Sequence, residues 1–179
     1  TYAWTGGVTN NVAFVPSASG NYTVTGTAAN GCTNSAVASV VVNTTPTVTA
    51  NTSTTSVCSG NNVTLTGGGA SSYAWTGGVT NNVAFAPSST SSYTVTGTAA
   101  NSCTNTAVVS VTVNPTPTVS ATPSATSICQ GDTVILNGNG ASTYAWTGGV
   151  TNNTAFTPSA TTIYTVTGTT SGCSQTRTT

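Results

Sequence analysis

Hydrophobic and polar residues alternate with period two along most of the chain. Val63 and Leu65 share one face against Thr64 and Thr66, and Tyr73 and Trp75 stand against Ala74 and Thr76. Val83 and Phe85 follow; Tyr93 and Val95 then oppose Thr94 and Thr96, and Val109, Val111 and Val113 oppose Ser110 and Thr112. Successive side chains of a strand point to opposite faces, so each run predicts a half-buried β-strand. Turn-forming residues separate the runs: Gly67-Gly68-Gly69, Gly77-Gly78, Asn81-Asn82, Pro87-Ser88-Ser89 and Ala100-Asn101-Ser102. No segment carries a 3.6-residue period.

The pattern also repeats at long range. TYAWTGGVTNNVAF at Thr1 returns as SYAWTGGVTNNVAF at Ser72 and TYAWTGGVTNNTAF at Thr143, which places Trp4, Trp75 and Trp146 at intervals of 71 residues. Tyr22, Tyr93 and Tyr164 keep that interval, as do Cys58 and Cys129, while Cys103 to Cys173 is one residue shorter. A period of this length marks a small domain and not a solenoid rung. Proline stands between strand-like runs at Asn43-Thr44-Thr45-Pro46 and Asn114-Pro115-Thr116-Pro117, so the linkers are short, extended and stiff. Three units follow: 1–45, lacking its first strands; 46–115, complete; and 116–179, lacking its last strand. Because neither end supplies what the other lacks, the 179 residues are expected to be part of a longer repetitive polypeptide.

Six or seven short strands per unit, a buried Trp and a Tyr opening a late strand indicate tandem immunoglobulin-like β-sandwiches, an all-β architecture. Inward-facing alternation assigns Trp4, Trp75, Trp146, Tyr22, Tyr93, Tyr164, Phe14, Phe85 and Phe156 to the cores. A sugar-stacking platform would need these rings on the Thr faces instead.

Composition narrows the chemistry sharply. One Lys or Arg and one Asp or Glu, namely Arg177 and Asp132, with no His, leave no acid/base pair and no metal-ligand set. No enzyme, cofactor, metal site or nucleic-acid surface is therefore expected. No run of about 18 apolar residues suggests membrane insertion, and no charged segment followed by an apolar stretch suggests a signal peptide.

Five cysteines remain. Cys58 precedes one strand and Cys103 the last, so in a sandwich both are expected near the same end; the expected disulfides are Cys58–Cys103 and Cys129–Cys173, with Cys32 paired to a residue before Thr1. Each would contribute about 3 to 4 kcal/mol to a thin core and imply oxidising surroundings, free buried thiols being the alternative.

Cys58-x-Gly60, Tyr73-Ala-Trp75-Thr, Tyr93-Thr-Val95-Thr-Gly-Thr, Gly31-Cys32-Thr-Asn and Val111-Thr-Val-Asn-Pro115 together resemble the immunoglobulin-like or PKD-like repeats of very large Bacteroidetes surface proteins. The resemblance implies an extracellular, cell-surface location, secretion by the type IX route, and a place in gliding adhesins, filaments or spacer arrays. Asp132-Thr133-Val134 resembles an O-glycosylation signal of that phylum, which would make Thr133 an acceptor.

A near-neutral sandwich without Lys on its strand edges should self-associate. Lateral assembly, glycans or both are expected to compensate. The leading functional expectation is thus a structural region of an extracellular filament, stalk or sheath whose partners are neighbouring copies. Adhesion to polysaccharide or a host surface through sandwich-end loops such as Gly77 to Asn82 is the alternative. Ice binding by the Thr23/Thr25/Thr27, Thr94/Thr96/Thr98 and Thr165/Thr167/Thr169 ladders is a minor one, since one such strand per unit is too narrow a face.

Overall fold

A computed structural model describes all 179 residues, and it is all-β. The first unit holds β1 (Tyr2–Trp4), β2 (Gly20–Thr27) and β3 (Thr33–Val40). The middle unit holds β4 (Thr49–Thr52), β5 (Ser56–Cys58), β6 (Val63–Gly68), β7 (Ser72–Trp75), β8 (Ala84–Phe85), β9 (Ser91–Thr98) and β10 (Thr104–Asn114). The third holds β11 (Ser120–Pro123), β12 (Val134–Asn139), β13 (Thr143–Trp146), β14 (Ala155–Phe156), β15 (Thr165–Thr170) and β16 (Cys173–Thr178).

In the middle unit the strands form two sheets, β4-β6-β8 and β5-β10-β9-β7. All neighbours are antiparallel except β5 and β10, which run parallel with Cys58 opposite Asn114. The two sheets share one core built from Val57, Val63, Leu65, Trp75, Tyr93, Val95 and Val111. These residues come from both layers, as expected where the apolar faces of two small sheets exclude water together. Phe85 meets Tyr93 edge to face, with ring centroids 5.4 Å apart, and Phe156 repeats the contact with Tyr164 at 5.4 Å.

β5 is a strand that the alternation does not announce. The chain leaves β4 in one sheet, crosses at residues 53–55 and joins the other. Two hydroxyls hold the crossing: Thr52 Oγ1 donates to the Thr54 carbonyl at 2.7 Å, and Thr54 Oγ1 to the Ser56 carbonyl at 2.8 Å.

The aromatic assignments divide by unit. Trp75, Tyr93 and Trp146 are buried, and Phe85, Phe156 and Tyr164 are half-buried. Trp4 and Tyr22 are also half-buried, but Phe14 is 44% exposed, contrary to its assignment to a core. The physical reason is that the first unit has only the sheet β1-β2-β3, with no second sheet across from it. Phe14 still meets Tyr22 edge to face, with ring centroids 5.0 Å apart, but Phe14 stays exposed. Val83 also departs from expectation at 53% exposure, because β8 is too short to carry its alternation back that far.

In the third unit the sheets are β11-β12-β14 and β13-β15-β16, around Val119, Leu136, Trp146 and Val166. Ile128, the counterpart of Val57, is 36% exposed and lies in no strand, whereas Val57 is 8% exposed. β5 forms against residues 112–114 of β10, and β16 stops at Thr178, short of the corresponding positions. An open groove of about 540 Å³, lined by Ile128, Val134, Leu136 and Tyr164, occupies that place.

Gly97 shows how tightly the linkers are held. Val48, the last apolar residue before β4, packs onto it, and a Cβ there would sit 2.6 Å from Val48 Cγ2 and 2.8 Å from Ala70 Cβ. Gly168 repeats this against Val119 and Ala141. At Gly69 (φ +84°) a side chain would run into the Thr47 carbonyl. The middle and third units therefore each seat their incoming linker in a slot that only glycine leaves open.

Gly97→Ala should destabilise the middle unit by roughly 1 to 3 kcal/mol through overpacking. Gly20→Ala, whose added Cβ meets nothing within 4 Å, should stay within about 0.5 kcal/mol of the parent. Thermal unfolding followed by tryptophan fluorescence checks both; equal stabilities would show that the Val48 contact does not constrain the fold.

Candidate functional site at the joint between units

The sequence places Cys58 and Cys103 near one end of a sandwich; the structure places them at opposite ends. Cys103 heads β10, and Cys58 pairs with Asn114, the last residue of the same strand. Eleven residues of extended chain span about 36 Å, whereas a disulfide requires Cα atoms within about 7 Å. The expected Cys58–Cys103 bond is therefore impossible without unravelling β10. Cys58 instead bonds Cys173 of the third unit, with Cα atoms 5.6 Å apart, across 115 residues of sequence. Cys129 and Cys173 are likewise unpaired with each other, and Cys32, Cys103 and Cys129 are free thiols.

The bond sits where the two units meet. Cys173 opens β16, is 1% exposed, and its Sγ lies 3.9 Å from the Asn114 carbonyl oxygen. Asn114 turns its amide back on both partners, donating to Ser56 Oγ at 2.9 Å and to the Ser171 carbonyl at 3.1 Å. Farther along the linker, Val119 N donates to Gln175 Oε1 at 3.0 Å. One covalent bond and several hydrogen bonds thus grip a linker that contains Pro115 and the buried Pro117.

The first joint is built the same way without the bond. Asn101 Nδ2 donates to the Thr44 carbonyl at 3.1 Å and Asn105 Nδ2 to the Pro46 carbonyl at 3.0 Å. Cys103 Sγ lies 3.9 Å from the Asn43 carbonyl oxygen. At both joints the turn before a unit's last strand clasps the linker that leads into that unit. Sequence reading missed these polar side chains because Asn101 looks like an ordinary turn residue and Asn105 stands just inside the last strand; their recurrence as Asn30 and Asn34 was the available signal.

The loop Gly77 to Asn82 proves to be committed to the fold. Asn81 Oδ1 accepts from Trp75 Nε1 at 3.0 Å and from Gly67 N at 2.7 Å. Asn152 does the same for Trp146 at 2.9 Å and Gly138 at 2.7 Å, and Asn10 accepts from Trp4 at 3.1 Å. Asn82, Asn153 and Asn11 hold φ of 62°, 60° and 60°, a left-handed conformation that asparagine tolerates better than most residues. The near-identity of the VTNN segments is thus explained by the indole partner and the turn.

The hydroxyl faces are broader than one strand. Thr96 and Thr98 of β9 pair with Thr106 and Thr104 of β10, and with Ala74 and Ser72 of β7 on the other side. Thr25 and Thr27 pair with Ser35 and Thr33, and Thr167 and Thr169 with Thr176 and Ser174. Direct partners share a face, so each unit presents a three-stranded, mainly hydroxylated surface. No aromatic ring stands on these positions in the middle unit.

Thr133 is exposed in the turn before β12. Its neighbour Asp132 caps that turn, its Oδ2 accepting from Cys129 N at 3.1 Å. Arg177 is exposed on β16. No protein-family model matches the sequence, and no curated protein matches it.

Two outcomes test this geometry. Digestion of the oxidised chain without reductant should release a peptide pair joined through Cys58 and Cys173; joined Cys58 and Cys103 would refute it. Asn81→Ala should cost about 1 to 3 kcal/mol, because two donors on buried residues, Trp75 and Gly67, lose their acceptor, with a matching shift in the near-ultraviolet signal of Trp75.

Proposed function

We propose that this chain is a structural repeat region of a long secreted bacterial surface protein, forming an extracellular filament, stalk or sheath. The observation that carries the reading is the Cys58–Cys173 bond, which ties two successive units to one another and not a unit to itself. A disulfide inside a unit would chiefly stabilise that unit by restricting its unfolded chain. One between units restricts their relative rotation, which matters for a load-bearing or length-setting row and for little else. Chemically it also favours an oxidising compartment.

The immunoglobulin-like reading of each unit draws support from the order β5-β10-β9-β7 facing β4-β6-β8, with a buried Trp75 between them. A likeness to the repeats of Bacteroidetes surface proteins, with type IX export, would follow from the same residues. Glycans on Thr133 and on the hydroxyl faces fit this setting, as does self-association between neighbouring copies. Edge pairing is the weaker route to it: the edge strands β4, β5, β7 and β8 are only 4, 3, 4 and 2 residues long, and short edges recruit partners poorly. Adhesion through Gly77 to Asn82 gains no support, since Asn81 is already occupied by Trp75 and Gly67.

A second reading rests on the width of the hydroxyl faces. Two neighbouring strands of Thr and Ser, flanked by a third that carries Ala74 and Ser72 in the middle unit, offer a wider array than a single ladder does, which is what ice binding would need.

Electron microscopy of the native protein should show beaded filaments with a repeat of a few nm; a compact, monodisperse full-length monomer would contradict the structural reading. Small-angle scattering of the 179-residue chain should show a broader distribution of dimensions after reduction, with its strand content unchanged. Thermal hysteresis in solution would favour the ice-binding reading, and its absence would remove it.

A further inference from the structure

We propose that the Cys58–Cys173 bond is one instance of a repeating clip, in which the cysteine closing the short parallel strand of each unit bonds the cysteine that heads the last strand of the next. Cys103 and Cys32 then bond cysteines of preceding units, and Cys129 bonds one of a following unit. The inference deepens the array reading above, because it needs units on either side of those seen here.

Four observations carry it. Cys103 Sγ and Cys173 Sγ lie at the same distance, 3.9 Å, from the carbonyl oxygens of Asn43 and Asn114, which stand at equivalent positions of successive linkers. Cys103 is thus already seated where its counterpart makes a disulfide. Next, the residue two places after each of these cysteines holds the linker backbone, Asn105 at Pro46 and Gln175 at Val119. The two side chains hold the linker at points two residues apart, Asn105 by donating to a carbonyl and Gln175 by accepting from an amide, so the same strand position grips the linker at both joints.

The donor side repeats as well. Cys58 and Cys129 each begin the same turn, with Asn61 N donating to the Cys58 carbonyl at 2.9 Å and Asp132 N to the Cys129 carbonyl at 3.1 Å. Cys129 is exposed and free, as a donor without its following unit would be. Finally, no pairing inside the middle unit competes, because the length of β10 keeps Cys58 and Cys103 at opposite ends, and in the third unit Cys173 bonds Cys58 and leaves Cys129 free.

Closure of each clip is a two-electron oxidation. One thiolate attacks a disulfide oxidant, low-molecular-weight or enzyme-borne, forming a mixed disulfide and expelling one of the oxidant's sulfurs as a thiolate. The second thiolate then attacks the protein sulfur of that intermediate and expels the oxidant's other sulfur as a thiolate. Two protons and two electrons leave the cysteine pair, and one S–S bond is gained where one is lost.

The clip has a mechanical consequence. Under tension an unclipped unit can pay out its whole repeat, but each clip bypasses the 115 residues between its two cysteines. Of every two repeats, 142 residues, only the 27 that lead from a last-strand cysteine to the short-strand cysteine of the following unit stay extensible (142 less 115), so the extension falls to roughly one fifth of its reduced value, at about 3.5 Å per residue.

The test adds the missing half of the first unit: a chain carrying a second copy of residues 46–71 ahead of Thr1, oxidised in a glutathione couple and digested without reduction. The added cysteine is expected on Cys103 and Cys58 on Cys173, with Cys32 and Cys129 alkylated as thiols. A link from the added cysteine to Cys32, a Cys58–Cys103 link, or a Cys103 that still alkylates would overturn the clip. The unextended chain provides a second measurement. In Cys58→Ser, Cys173 should remain a thiol; its capture by Cys129 would show that pairing within a unit is possible and would likewise overturn the proposal. Both readouts are bond maps, so absence of filaments in micrographs would defeat the proposed function without touching them, and an unlinked Cys103 would defeat the clip even if filaments were seen.

Discussion

An extended strand cannot bring its two ends together, and in this protein that restriction governs the joints. β10 runs for eleven residues, with Cys103 at its head and Cys58 beside its tail. The two sulfurs of the unit are held a strand length apart and each faces a different neighbour. For Cys58, what would otherwise be an internal staple becomes a connection to the third unit. The parallel pairing of β5 with β10 is the decisive local feature, since it carries Cys58 to the trailing end of the unit. Without it, Cys58 would hang from the turn before β6.

The linker is held from three directions. Gly69 and Gly97 leave the space in which Thr47 and Val48 lie, and the third unit repeats this with Gly140 and Gly168 around Thr118 and Val119. Asparagine and glutamine side chains from the last hairpin bind the linker carbonyls and amides. Proline removes much of the freedom that remains. Because these contacts are polar or steric and not charged, the joint is insensitive to salt in a way that an ion-paired interface would not be. A protein with two charged side chains has few other ways to set an angle between domains.

Much of one unit was legible from its residues. The period-two runs located β6, β7, β9 and β10, and the burial of Leu65, Trp75, Tyr93 and Val95 follows the predicted faces. Those faces are visible because alternation is a local property of a strand. The positions that misled lack such a local rule. Phe14 follows the same Gly-Gly-Val-Thr-Asn-Asn-Val-Ala segment as Phe85, yet it is exposed because no second sheet covers it. Asn81 reads from the sequence as a turn residue, whereas its oxygen is the partner of a buried indole six residues away. A one-dimensional pattern marks Asn as a turn former and is silent on what its amide reaches.

The residue string on its own determined the all-β class, the repeat interval, the stiff linkers, the inward aromatic faces of a complete unit and the poverty of ionisable chemistry. Each of these depends on composition or on near neighbours along the chain. Only the folded arrangement decided which cysteines meet, how wide the hydroxyl faces are and where the asparagine amides point. Those outcomes depend on strand order and on which end of a strand lies beside which unit, distances of tens of ångströms that no spacing in sequence encodes.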